Sequence, residues 1–138
     1  MHPKLIDFGC STAYTGNSFG FYGTKGSWRY MAPEIHRSDT YNATEVDVFA
    51  LGVTLFGLYT GLAPFANSQD RYYKILRSKP KKFFKLHWIK DDAFAALLTG
   101  MLRFDSSERF SLQEIYEHKW CQGPHSTEEE VIEELTLH

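Results

Sequence analysis

Residues 46–59 read VDVFALGVTLFGLY. At about 100° per residue, Val46, Val48, Phe49, Leu51, Val53, Leu55, Phe56, Leu58 and Tyr59 spread over most of a helix circumference. A helix apolar nearly all round belongs inside a core. The run is too short and too interrupted to cross a bilayer. Its one remaining face carries Asp47, Ala50, Thr54 and Gly57. Small side chains there admit a second backbone, whose N–H groups Asp47 would accept. Asn42, with Glu45 three positions on, gives a capping-box start. Gly61, with Pro64 beyond it, gives the stop. The pattern predicts a buried helix over about 43–60. Burying all nine apolar side chains contributes on the order of 10–20 kcal/mol as an upper value. Such a rod organises a domain and would aggregate alone.

The chain around it has 138 residues, enough for one domain with a core. A net charge of −2 argues against nucleic-acid or membrane partners, since neither is drawn by a near-neutral field. Cys10 and Cys121 make neither a metal spacing nor a disulfide framework, so a reduced, cytoplasmic setting is expected. The N-terminal MHPKLIDFG has no signal-peptide hydrophobic region.

Residues 4–6 form a short apolar run, predicted to be a strand end. From Gly9 to Gly26 the chain is rich in Gly, Ser, Thr and Asn and has no period, so a long loop is expected. Further helices are predicted over about 68–77, 91–102 and 112–118. The 91–102 helix carries the stripe Phe94, Leu97, Leu98, Met101 and Leu102, and Ser111 with Glu114 caps the 112–118 helix. Lys79 to Lys85, KPKKFFK, reads as a basic loop. Residues 122–138 form an acidic tail, with Thr127 and Glu130 able to cap a last helix. The chain therefore reads as mainly α.

Four motifs in order then resemble the protein kinase family. Asp7-Phe8-Gly9 resembles its DFG, and Ala32-Pro33-Glu34 its APE. Asp47 and Gly52 resemble residues of its central helix. Arg109 resembles the arginine that pairs with the APE glutamate. DFG alone is a weak signal; the ordered set is a strong one. Gly26-Ser27-x-x-Tyr30 before the Met-Ala-Pro-Glu run resembles the serine/threonine branch. YYKIL and HKW resemble its calcium/calmodulin-dependent group. The likeness covers residues 4 to about 121 and implies a partial kinase domain over 1–121, the helical C-lobe part of the kinase fold, with an activation segment over 7–34.

The resemblance also implies roles. Asp7 would hold Mg²⁺ that bridges ATP phosphates, with Ile6 beside the nucleotide. Phe8 would pack to set orientation, and Gly9 would free the turn. Glu34 and Arg109 would form a partly buried ion pair. Asp47 would accept catalytic-loop N–H groups. Gly26, Ser27 and Tyr30 would line the substrate-binding loop, where Trp28 departs from the family's proline. Thr24, then Ser18, Thr15 and Tyr22, are the candidate phosphosites.

Only six residues precede Asp7. In this family the glycine-rich loop, its lysine and the catalytic-loop base all lie further upstream. ATP and Mg²⁺ are therefore cofactors of the intact parent kinase, and this stretch is expected neither to bind them tightly nor to transfer phosphate alone. Its partners would be a protein substrate and the remainder of the kinase domain, or a partner kinase. The alternative is a catalytically dead, kinase-like binding or regulatory module. Either way, the missing portion would leave an apolar patch bare on the 46–59 helix.

Overall fold

Helix α2, Ala43–Thr60, packs one side against the other helices. The structure, a computed structural model, describes residues 4–14, 21, 23, 26–37, 40–67 and 69–136. Asn42 Oδ1 accepts from Thr44 N at 3.0 Å and starts the helix. Gly61 ends it in the left-handed region, at φ +71°, which costs glycine little. By length and composition alone α2 is apolar enough to cross a membrane, against the expectation from the 46–59 run. Its packing marks it as a core helix. Val46, Phe49, Val53 and Phe56 are buried in one cluster with residues of every helix from α3, Arg71–Ser78, through α4, Pro80–Leu86, to α5, Asp92–Met101.

Helices α2 and α5 approach closely at Gly52. A Cβ on Gly52 would sit 3.0 Å from Met101 Cβ and from Leu102 Cδ2. Glycine at that position lets the two helices touch. A smaller cluster on the far side joins Val48, Leu97 and Met101 to Phe110, Ile115 and Trp120. It fixes α6, Leu112–Glu117, which opens with the Ser111–Glu114 capping box. The last helix, α7, Glu128–Thr136, has the reciprocal Thr127–Glu130 bonds of the same motif, yet buries none of its residues.

Several expectations need correction. Residues 4–6 carry no strand, because a strand needs a neighbouring row of backbone partners and the described residues offer one isolated bridge, Phe21 to Tyr41. KPKKFFK is a helix, not a loop. Pro80 presets the first turn, Phe83 and Phe84 face inward, and Lys81, Lys82 and Lys85 face water. The helix expected over 68–77 starts instead at Arg71, because Asp70 caps it by accepting from Tyr72 N at 2.7 Å. Three of the nine apolar side chains are not buried but form the bare patch expected on this helix: Leu51, Leu58 and Tyr59 are 46%, 80% and 50% exposed. With Asp47 and Thr54 they leave one long side of α2 facing solvent.

Candidate functional site

Helix α1, Pro33–His36, opens on Pro33 and carries Glu34 in its first turn. Met31 and Ala32 before it are buried, so the segment is docked onto the helical body. Beneath it Arg109 projects from the turn that follows Ser106–Glu108. Its Nη1 donates to Glu34 Oε1 at 2.7 Å, and its Nη2 to Glu34 Oε2 at 3.1 Å. Nη1 also donates to Glu45 O at 2.6 Å, while Nε and Nη2 donate to Arg103 O. The guanidinium lies 5.1 Å from the centre of the Phe49 ring. These contacts tie α1, the start of α2 and the 103–109 loop into one unit.

Tyr73 lies in the same interior, and its hydroxyl has no partner among the described residues. Burial holds its pKa well above the ordinary phenol value; the Arg109 charge opposes that shift and the Glu34 charge adds to it. The sequence marked Arg109 and Glu34 but gave no sign of Tyr73, an unremarkable tyrosine in an amphipathic helix.

Above the ion pair, Gly26, Ser27 and Tyr30 meet Asp47 across a cleft of about 360 Å³. Cys10, Ser11 and Thr12, just after the Asp7-Phe8-Gly9 turn, line the same cleft. Gly26 adopts φ +104°. Tyr30 N donates to Ser27 O at 3.0 Å, closing the turn that presents both residues. Asp47 is solvent-accessible as a residue, but partial burial against the cleft raises its carboxyl above the ordinary value. Trp28, the departure noted in the sequence, stacks on His36 with ring centres 4.6 Å apart.

Asp7 itself does not line the cleft. It sits at φ +60°, an uncommon conformation for a residue with a side chain, and its Oδ1 accepts from Gly9 N at 3.3 Å. Ile6 and Phe8 are 82% and 68% exposed. The packing expected of Phe8 is absent, because no described surface faces it. Thr15, Ser18, Tyr22 and Thr24 lie outside the described residues.

Mg²⁺ prefers six oxygen ligands in near-octahedral array. Among the described residues no three acidic, histidine or cysteine side chains gather to hold an ion. Asp7 offers one carboxylate. The described residues alone therefore do not make up a Mg²⁺–ATP site.

A rod-like helix thus supports a loop–turn–helix segment that is locked onto it by a buried Arg–Glu pair. The protein kinase domain family matches residues 1–121, and the chain belongs to that family. It is 32% identical over 133 residues to serine/threonine-protein kinase STK11 of Gallus gallus, covering 96% of this chain and 27% of that protein. It is 34% identical to maternal embryonic leucine zipper kinase of Danio rerio, covering 90% of this chain and 18% of that protein. It is 38% identical to the SNF-related serine/threonine-protein kinase of Homo sapiens, covering 87% and 15%. The chain thus spans about a quarter or less of the length of these relatives. By family it is a serine/threonine protein kinase sequence. The calcium/calmodulin-dependent likeness is not addressed by these matches.

Proposed function

We propose that this chain is the substrate-facing helical portion of an ATP-dependent serine/threonine protein kinase, and that it transfers phosphate only when joined to the remainder of the domain. The observation that carries the reading is the buried Arg109–Glu34 pair beneath the cleft lined by Gly26, Ser27, Tyr30 and Asp47. A loop held this firmly can present a peptide backbone in one register. Phosphoryl transfer depends on positioning and electrostatics, and both need groups from more than one part of a domain. In this reading Asp7 supplies one carboxylate to Mg²⁺ on ATP, and the other ligands come from outside the chain. The bare side of α2 receives the missing backbone, with Asp47 accepting its N–H groups. The protein substrate lies over Ser27 and Tyr30. A cytoplasmic setting accompanies this reading.

A chimaera tests it. The segment of STK11 that precedes its match to this chain is fused ahead of Lys4, and transfer from labelled ATP to a serine-containing protein is measured. The 138-residue chain alone is expected to give none, the chimaera measurable transfer, and the chimaera with Asp7→Asn none. A folded chimaera that stays inactive overturns the catalytic reading and favours the binding-module alternative.

A further inference from the structure

A second concavity lies away from the cleft, between α4 and α5, with a volume of about 1040 Å³. Trp88 and Phe110 contribute apolar walls, and Lys81, Lys85, Lys90 and Arg103 stand around them. Glu108 and Asp92 also line it; Glu108 lies 3.8 Å from Arg103, which leaves three lysine charges against one carboxylate. Trp88 is 83% exposed and held at φ +59°, a backbone state that bulky residues seldom adopt. An indole so displayed beside an apolar groove has the character of an interface anchor.

Helix α7 has the complementary chemistry. It carries Glu128, Glu129, Glu130, Glu133 and Glu134 and no basic residue. Val131, Ile132 and Leu135 fall on one stripe, and Ile132 and Leu135 are 46% and 57% exposed. Its start is fixed locally by the Thr127–Glu130 capping box. None of its residues lines the groove of its own chain.

We propose that the α4–α5 groove is a docking site for α7 of a second copy of this chain, with Ile132 and Leu135 against Trp88 and the glutamates over Lys81, Lys85 and Lys90. Reciprocal exchange of the two helices closes a two-fold dimer. A concave, partly acidic wall suits a helix better than the flat, anionic face of a membrane.

The test places the photo-reactive residue benzoylphenylalanine at position 132 of the full 138-residue chain. After irradiation, dimer-sized adducts are separated and their cross-linked peptides mapped. The expected adduct joins position 132 to peptides from the 81–103 stretch. Its yield falls at least tenfold in K81E/K85E/K90E and recovers when E129K/E133K, which leaves the Glu130 cap intact, is added to the same chain. All three lysines are exposed, and recovery by the charge swap excludes misfolding as the cause of loss. The yield also falls with added salt, since these charges are solvent-facing. Adducts in the monomer band, adducts to Leu51 or Leu58 on the bare side of α2, or no adduct at all overturn the proposal. So does lysine-dependent flotation with phosphatidylserine vesicles in the absence of the dimer adduct.

Discussion

Arg109 and Glu34, 75 positions apart, meet as a two-pronged ion pair with side chains 0% and 6% exposed. The cost of drying two charges is offset because every arm of the guanidinium finds an acceptor: Glu34, Glu45 O or Arg103 O. Removing one partner leaves the other charged and buried. Arg109→Ala or Glu34→Ala is expected to lower unfolding free energy by about 3–5 kcal/mol, read by urea denaturation at neutral pH. Arg109→Lys recovers little, since an ammonium cannot reproduce the fork. The double change Arg109→Met with Glu34→Leu costs less than the sum of the single losses. A single-variant loss under about 1 kcal/mol, the range of surface pairs, would contradict this account.

Tyr73 packs edge-on to Phe49 at 6.0 Å and to Phe65 at 4.8 Å, while its hydroxyl stays unpartnered among the described residues. An unmet buried hydroxyl costs stability that its ring does not need. Tyr73→Phe is therefore expected to raise stability by about 1 kcal/mol, measured by the same denaturation. A loss of that size would mean that the hydroxyl is hydrogen-bonded after all.

These two neighbours differ in how far the sequence revealed them. The Arg109–Glu34 pair was legible because two charged residues sat in recognisable strings, and α2 because its apolar run was long. The α5 stripe and the Ser111 cap were legible by period and by short-range hydrogen bonding. α4 was not, since four lysines from Lys79 to Lys85 suggest a solvated loop until Phe83 and Phe84 are seen to share one buried face. Exposure of Leu58 could not be read from hydropathy either; it depends on what stands opposite the helix, which is a tertiary matter. The Trp28–His36 stack joins residues that no local pattern couples.

Asp47 gives a prediction whose sign depends on its surroundings. In this chain, partial burial raises its carboxyl pKa above the ordinary 3.8. A raised acid pKa means that ionisation opposes folding: the favourable contribution is complete below 3.8 and lost as pH rises through the folded value. Asp47→Asn is accordingly expected to raise the melting temperature of this chain at neutral pH and to change it little near pH 3. Within a complete kinase domain, where our proposal gives Asp47 backbone donors, the same change lowers the melting temperature. Thermal melts of both forms decide the matter, and a destabilising effect in this chain alone would count against the cleft's desolvation.

Two histidines set the pH dependence near neutrality. His36 lies under Trp28, and His87 stands edge-on to Phe56 at 5.1 Å and to Phe83 at 4.4 Å. Burial lowers both pKa values from 6.5; at His36 the carbonyls of Trp28 and Met31 partly oppose the shift. The Nε2 of each ring is buried without a partner among the described residues. An imidazolium is thus penalised in the fold but free to form in the unfolded chain. Between the lowered values and 6.5 the unfolded chain binds more protons, so stability falls as pH drops through that window. Glu114 and Asp105 act later: hydrogen bonds from Ser111 and Ser107 hold them below 4.5 and 3.8, so their contributions are present above those values and vanish only in stronger acid. Melting temperature followed downward from about pH 8 should show an upper decline that begins near 6.5 and a lower one in stronger acid, with Asp47 protonation acting in the opposite sense. H36Q/H87Q is expected to flatten the upper decline and leave the lower one unchanged. An upper decline that survives the double change would assign that titration to some other group.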